Sequence, residues 1–152
     1  MLTVGNLVLR RATRADLDAV VAVQRAAYAR NRELLGVEPL PLMTDYAVIF
    51  DNYEIWVPAN GPIEGVLILK ARADDLLIWS IATDTTRQKA GVGHAMLAAA
   101  EARARELGLG TLRLYTGSVL AHLVAWYTRN GYAVERVEEL SDRSLTHMIK
   151  RI

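Results

Sequence analysis

The sequence predicts a single mixed α/β domain in which helices cover one sheet. Segments with the periodicity of strands and helices follow one another in the order β-α-α-β-β-β-α-β-α-β-β, which gives about seven strands and about four helices. The length of 152 residues, with 52% hydrophobic and 23% charged residues, fits one globular domain with a substantial core. Residues 76–83 are apolar enough to form a strand covered on both faces.

The N-terminal half is predicted to contain two helices between its strands. Thr13, followed three residues later by Asp16, is a capping signature for a helix that runs to about residue 29. Residues 31–41 contain one glycine and two prolines, which predicts a loop or a broken helix. Thr44 is placed to cap a second helix that continues to residue 50. The predicted strands of this half are residues 7–10, 54–57 and 65–71.

The C-terminal half begins with the apolar strand at residues 76–83 and a glycine-containing turn. A long helix follows from about residue 92 and ends near Gly108, a plausible C-cap. Its apolar positions repeat at steps of three and four residues, and they are Leu97, Ala100, Ala104 and Leu107. The remaining predicted elements are a strand at 111–115, a helix at 119–129 and two strands at 132–137 and 144–150.

Charge and composition exclude several classes of function. The 18 basic and 17 acidic residues give a formal net charge of +1, which argues against a broad nucleic-acid surface but allows a local basic site. The N-terminus lacks a basic region before a long apolar stretch, and no apolar run approaches ~18 residues. We therefore expect a cytoplasmic protein with no signal peptide and no membrane span.

Cysteine and histidine usage limits the chemistry further. The chain has no cysteine, which excludes disulfides, cysteine-ligated zinc and a covalent acyl-cysteine intermediate. The three histidines, His94, His122 and His147, stand at no metal-ligand spacing, so each is expected at the surface or at a helix end. No metal site is expected.

The turn at residues 88–93, with the sequence Gln-Lys-Ala-Gly-Val-Gly, predicts an anion site. Gly91 and Gly93 lack a Cβ, so a bulky group can approach the backbone where the unpaired N–H groups of a helix begin. Two nucleotide motifs do not fit: Met96 stands where a dinucleotide fingerprint needs its third glycine, and no Gly-Lys-Ser/Thr tripeptide follows. A phosphate cradle and a glycine-rich turn without a ligand both remain open from this pattern.

Two motifs resemble the GNAT superfamily of acyl-CoA-dependent N-acyltransferases. Residues 88–93 are similar to its Gln/Arg-x-x-Gly-x-Gly/Ala pyrophosphate turn. A second region is similar to its Ala-x-Tyr-x-x-x-Gly-Phe/Tyr pattern, and the matching residues are Ala125, Tyr127, Gly131 and Tyr132. Leu123 stands where many members have an asparagine that contacts the cosubstrate. Together with the element order, the motifs extend the resemblance over almost the whole chain.

The resemblance implies a single N-acetyltransferase domain, residues 1–152, built on a mixed and mostly antiparallel sheet. It implies that acetyl-CoA lies where the fourth and fifth strands splay apart, with its pyrophosphate on the turn and its pantetheine arm along residues 81–83. Arg87 and Lys89 would add charge, although a solvated basic turn explains them equally well. The implied cosubstrate-binding residues are Ile81, Ala82, Thr83, Arg87, Gln88, Lys89, Ala90, Gly91, Val92, Gly93 and His94.

The implied reaction is direct attack of a primary amine, on a small molecule or peptide, upon the thioester. A tyrosine at the position of Tyr127 often protonates the departing thiolate in this family, but an aromatic core residue is the competing interpretation. A backbone N–H near Ile81 or Ala82 would stabilise the oxyanion. Residues 77–83 contain no carboxylate, so Glu54 is the first candidate for the base, ahead of Glu33, Asp84 and water. An ordinary surface role explains each of these carboxylates as well.

The acceptor remains open from the sequence. Tyr28 and Glu33 are candidate substrate contacts because the first two helices build the acceptor groove in this superfamily. Two alternatives to an enzyme are a catalytically silent acyl-CoA-binding sensor or interaction domain and a plain phosphate-binding module. A homodimer is compatible with the chain, but no residue identifies an interface.

Overall fold

A computed structural model describes residues 1–83 and 91–152 of the chain. These residues form eight strands and four α-helices, which confirms the predicted mixed and mostly antiparallel α/β fold and adds one strand to it. In chain order the elements are β1 Leu2–Val4, β2 Leu7–Arg11, α1 Leu17–Leu35, α2 Tyr46–Asn52, β3 Glu54–Pro58, β4 Gly65–Ala71, β5 Leu76–Thr83, α3 Val92–Glu106, β6 Thr111–Gly117, α4 Ala121–Arg129, β7 Ala133–Glu139 and β8 Ser144–Arg151. None of the described helices is long and apolar enough to cross a membrane.

The sheet is divided by a gap between its two central strands. The strand order is β1-β2-β3-β4-β5-β6-β8-β7, and every neighbouring pair is antiparallel except β5 and β6. These two parallel strands pair only through Leu76 with Leu112 and Leu77 with Arg113. Beyond Leu77 they separate, because β6 continues along β8 while β5 continues along β4. The gap is therefore a consequence of which neighbour each strand follows.

A β-bulge lies on β5 beside the gap. Ile68 on β4 is opposite Ser80, whereas its neighbour Leu69 is opposite Ile78, so Trp79 is the extra residue. A bulge bends its strand and increases the local twist. The bend lies two residues beyond Leu77, the last β5 residue that pairs with β6.

Helices cover both faces of the sheet, each over its own apolar cluster. On one face α3 and α4 pack on a cluster that includes Leu67, Ile78 and Leu114. On the other face α1 and α2 pack on a cluster that includes Val66 and Ile68. Alternate residues of β4 thus serve opposite faces, as the period of a strand requires.

The N-terminal region differs from the sequence prediction in three places. The strand β1 was missed, although it is only three residues long and pairs with β2 across a tight turn. The loop or broken helix predicted for residues 31–41 is wrong in its first part, because α1 continues to Leu35 and ends at Gly36 with a φ of 73°. Asp45, rather than Thr44, caps α2, and its side chain accepts a hydrogen bond from the Ala47 N–H at 2.9 Å.

Candidate functional site

A cavity of about 390 Å³ occupies the gap between β5 and β6. It passes through the sheet, so that α1 borders it on one face and the start of α3 together with α4 borders it on the other. Residues 78–83 of β5 and 114–117 of β6 form its central walls. A ligand placed here would be accessible from both faces of the sheet.

The β5 backbone offers an unpaired edge to this cavity. Its other edge is paired with β4, where Gly65, Val66 and Leu67 face Thr83, Ala82 and Ile81 in turn. On the cavity side, no strand of the described chain pairs with β5 beyond Leu77. Backbone N–H and C=O groups need partners, so an extended ligand can pair with this edge as an added strand. This geometry matches the role that the sequence predicted for residues 81–83.

The first turn of α3 lies at the mouth of the same cavity. Gly91, Gly93 and His94 line it, and Val92 packs on the adjoining apolar cluster. Gly91 has a φ of 75°, and no atom of the described residues lies within 4 Å of the position that a Cβ would take. The helix therefore begins at an open backbone segment, where its unpaired N–H groups favour an anion.

Two hydrogen bonds hold α3 against α4 at this mouth. The side-chain amide of Asn130 donates to the Trp126 carbonyl oxygen at 2.8 Å, which leaves its Oδ1 as an acceptor. His94 Nδ1 lies 2.9 Å from that oxygen, so this nitrogen carries the proton. His94 thus has a positioning contact here, as expected for a histidine near a helix end.

Part of the predicted turn cannot be placed. Arg87, Gln88, Lys89 and Ala90, together with the candidate base Asp84, lie outside the described residues. Their roles remain predictions. The described ranges on both sides of them, β5 and α3, nevertheless border one cavity.

Tyr127 lies in the α4 wall of the cavity with a free hydroxyl. Its ring packs against Trp126 at a centroid distance of 5.0 Å and against Tyr132 at 5.9 Å. The hydroxyl makes no hydrogen bond to the described residues, although the ring is half-buried. Burial, with smaller contributions from Tyr28 and Tyr132, raises the pKa of Tyr127 well above its ordinary value. The phenol therefore keeps its proton at neutral pH.

A buried polar network borders the cavity on the α1 side. The Tyr28 hydroxyl lies 2.7 Å from Ser80 Oγ, and Gln24 Nε2 donates to the same oxygen at 3.1 Å. Gln24 also donates to the Tyr46 hydroxyl at 2.8 Å, and Tyr46 donates to the Pro41 carbonyl at 2.7 Å. Burial raises the pKa of Tyr28 to about 12, since the hydrogen bond with Ser80 offsets only part of it. Tyr28 thus lies at the site, as predicted.

Gln24 is a member of this network that the sequence analysis missed. It is fully buried on α1, four residues after Val20 and therefore on the same apolar stripe. A polar side chain on such a stripe must find a hydrogen-bonding partner, which is the signal that identifies it.

The structure does not bring Glu54 or Glu33 to the cavity. Glu54 accepts hydrogen bonds from Arg103 Nε at 2.8 Å, Arg103 Nη2 at 2.9 Å and the Trp56 indole at 3.0 Å. Burial acts to raise the pKa of Glu54, but these hydrogen bonds outweigh it and the pKa lies below its ordinary value. Glu33 is exposed on α1. Neither placement is that of a base beside the gap, because neither residue lines it.

Charged groups around the cavity have a distinctive pattern. The described lining residues include Arg30, Arg143, His94 and His122, but none of them is an aspartate or glutamate. Among the described residues, no group of three histidine, aspartate or glutamate side chains is arranged to hold a metal ion.

Comparisons with known proteins agree with the site. A model of the acetyltransferase (GNAT) family matches residues 20–132. An uncharacterized N-acetyltransferase of Bacillus subtilis (strain 168), YvbK, is 26% identical over 106 residues, which are 69% of this chain and 67% of that protein.

Two solved structures share the fold at low identity. The ribosomal-protein-S18-alanine N-acetyltransferase of Escherichia coli superimposes with a TM-score of 0.76 and 20% identity, covering 95% of this chain and 93% of that one. The PaiA N-acetyltransferase of Thermoplasma acidophilum, solved in complex with coenzyme A, gives a TM-score of 0.75 and 16% identity, covering 97% and 99%. With the family match over residues 20–132, the resemblance drawn from the two motifs is confirmed, and the chain belongs to the acetyltransferase (GNAT) family.

Proposed function

We propose that this protein transfers the acetyl group of acetyl-CoA to a primary amine of a small molecule or peptide by direct attack. One observation carries the proposal. The gap between β5 and β6 brings an unpaired strand edge, an open helix N-terminus and the free hydroxyl of Tyr127 to one cavity. These are the groups that a phosphorylated thioester donor requires.

The described residues fit acetyl-CoA at both ends of its reactive arm. Gly91 and Gly93 leave room for a pyrophosphate beside the N–H groups of α3. The edge of β5 at residues 81–83 can pair with the amides of the pantetheine arm. Trp126 and Leu123 supply an apolar wall on α4. Leu123 provides no polar contact at the position where the family often has asparagine, so the backbone carries more of the binding.

The reaction forms one bond and breaks another. The amine nitrogen attacks the thioester carbonyl carbon, and the C–S bond breaks as the amide forms. A backbone N–H of Ile81 or Ala82 on the free edge of β5 stabilises the negative charge that develops on the thioester oxygen. Tyr127 donates its proton to the departing thiolate and recovers one from solvent. A thiol of pKa near ~8.5 needs only modest help to leave.

The acceptor must lose a proton before it attacks, and water takes it. No described lining residue is a carboxylate, so the amine reaches equilibrium with solvent before binding productively. We expect the rate at limiting amine to rise with pH and to level off at the pKa of the amine itself. Acceptors of pKa ~8 and ~10.4 should therefore give profiles displaced by about two units. Identical profiles for both amines would instead indicate a base on the protein.

The decisive experiment measures thiol release from acetyl-CoA across a panel of amines and N-terminal peptides. It is combined with melting temperatures in CoA and acetyl-CoA, because a ligand that binds the folded state raises them. Release with at least one amine supports the proposal. A raised melting temperature without release from any acceptor favours a silent acyl-CoA-binding domain, and no shift with either ligand favours a phosphate-binding module.

A further inference from the structure

The α1 side of the cavity has a wall of a different character from the α4 side. The donor groups described above belong to β5, α3 and α4. The α1 side is lined instead by the end of α1, the segment that follows it and β8. Its apolar members are Leu35, Pro39, Leu40, Pro41 and Leu145. Tyr28 and Ser80 provide hydroxyl groups where this wall meets β5. An acceptor that enters from this side meets mostly apolar surface.

The charged groups of this wall are unsuited to a second cation. Arg30 and Arg143 are its charged members, and the described lining residues of the cavity include no carboxylate. A second hollow adjoins the first at Tyr115, and it is lined by Arg72, Arg113 and Arg136 as well as by two acids. Both acids are engaged: Asp75 accepts hydrogen bonds from Arg72 and Arg113 at 2.6–2.8 Å, and Glu135 accepts from Arg113 at 2.8 Å. An additional ammonium group would find no unengaged carboxylate among these residues.

A hydrogen-bonded clasp closes this side. Arg143, just before β8, donates from Nη1 to the Glu38 carbonyl oxygen at 2.8 Å, which joins the β7–β8 turn to the segment after α1. Asp142 holds the guanidinium through Nε at 3.1 Å and Nη2 at 3.0 Å. The Arg143 side chain is only 6% exposed. An extended peptide cannot pass between the two segments while this clasp is formed.

The size of the cavity sets the same limit. Its volume of about 390 Å³ must hold the acetyl group and the end of the donor arm as well as the acceptor. Ligand sites of ~300–1,000 Å³ bury a single small molecule. The space left for the acceptor is therefore that of a compact group.

From this wall, its charges and its clasp, we infer that the acceptor is a primary amine on a compact apolar body without a second positive charge. The inference rests on the proposed function and names its substrate class. Polyamines, aminoglycosides and extended peptides are disfavoured acceptors. The hydroxyls of Tyr28 and Ser80 supply the polar contacts for the amine, and the apolar residues of the wall contact its body.

The test compares n-hexylamine with 1,6-diaminohexane, which have the same chain and differ by one terminal amine. We expect kcat/KM to be about tenfold higher for hexylamine, although the diamine presents two reactive ends. Spermidine and a lysine-containing peptide should be poorer still. An equal or higher kcat/KM for the diamine, spermidine or the peptide overturns the inference while leaving acetyl transfer established. Absence of thiol release from every amine overturns the proposed function itself.

A pair of variants ties the preference to the wall. Leu40 is half-buried there, and Leu40→Glu introduces a carboxylate while Leu40→Gln introduces a neutral side chain of the same size. We expect Leu40→Glu to raise the diamine-to-hexylamine ratio of kcat/KM by about five- to tenfold over Leu40→Gln. The ratio is insensitive to a loss of folded protein, because both amines are measured on the same sample. Equal ratios for the two variants would show that charge on this wall does not select the acceptor.

Discussion

Replacement of Tyr127 by phenylalanine isolates the proton that the proposed reaction needs. The change keeps the ring, and with it the contacts to Trp126 at 5.0 Å and Tyr132 at 5.9 Å. It removes a hydroxyl that makes no hydrogen bond to the described residues, so packing and hydrogen bonding in the free protein change little. A loss of activity in Tyr127→Phe would therefore report on chemistry rather than on folding.

The size of the loss follows from the role. A positioned general acid contributes about 10²–10⁴ in rate, and a thiol leaving group of pKa near ~8.5 places the effect at the lower end. We expect kcat to fall about 10²-fold, or roughly 2.7 kcal/mol in the activation free energy. Because burial raises the pKa of Tyr127, the phenol stays protonated between pH 6 and pH 9, and the loss should be constant over that range.

Tyr132→Phe is the matched control. Its ring contacts that of Tyr127, and its hydroxyl is buried without a hydrogen-bond partner among the described residues. Removing an unsatisfied buried hydroxyl relieves a cost of about 1–3 kcal/mol. At this chain length each kcal/mol corresponds to roughly 2–4 °C, so Tyr132→Phe should raise the melting temperature by several degrees and leave kcat unchanged.

Three measurements on the two variants and the parent protein decide the matter. Steady-state thiol release gives kcat, isothermal titration gives the Kd for CoA, and thermal unfolding gives the melting temperature. The reasoning is refuted if Tyr127→Phe keeps kcat within about threefold of the parent value, since a general acid contributes more than that. It is also refuted if Tyr132→Phe loses as much activity, because a shared loss would indicate disturbed packing of the α4 wall.

Three further variants test the donor cradle, the rejected base and an acid-sensitive contact. Gly93→Ala should stabilise α3 by about 0.5–1 kcal/mol yet weaken CoA binding about tenfold by titration, and an unchanged Kd would contradict the cradle. Glu54→Gln should keep kcat within about twofold but lower the unfolding free energy by about 1–3 kcal/mol, because Arg103 loses its charged partner; a large loss of kcat would return Glu54 to the role of base. The hydrogen bonds from Arg10 lower the pKa of Asp16 to about 2, so its stabilisation is present above its ordinary pKa of ~3.9 and is lost as pH falls toward 2. Asp16→Asn should therefore be less stable than the parent at pH 7 and nearly equal to it near pH 2 in urea unfolding, and an equal difference at both pH values would contradict the assignment.

The elements with strong local signals could be predicted from the sequence. The apolar run of β5 and the three- and four-residue steps of α3 each carry the periodicity of their structure, and both bounds agree closely with the prediction. The length of α1 was underestimated because Pro39 and Pro41 suggested an early end. Gly36, in the left-handed conformation, is the residue at which the helix ends. The strand β1 was missed because three residues are too few to establish an alternation.

The contacts that decide the chemistry of the site join residues far apart in the chain. Glu54 meets Arg103 at a separation of 49 residues, and Ser80 meets Gln24 at a separation of 56. No periodicity or short motif specifies such a pair, because it depends on which strands become neighbours. The two motifs identified the donor side since its groups are local: a glycine turn, a strand edge and a tyrosine on one helix. The wall on the α1 side is assembled from three separate segments and has no such signature.

The bulge at Trp79 explains why the polar network and the gap occur together. Side chains of a regular strand alternate, so without the extra residue Ser80 and Trp79 would point to opposite faces. With it, Trp79 packs on the cluster beneath α1 and α2, and Ser80 bonds to Gln24 and Tyr28 of α1 on the same face. The bend that a bulge imposes also follows directly after Leu77, where pairing with β6 stops. A single inserted residue in β5 therefore turns a hydroxyl toward the acceptor side, and the hydrogen bonds of that hydroxyl to α1 hold the strand away from β6, so that the donor and the acceptor can meet through the sheet.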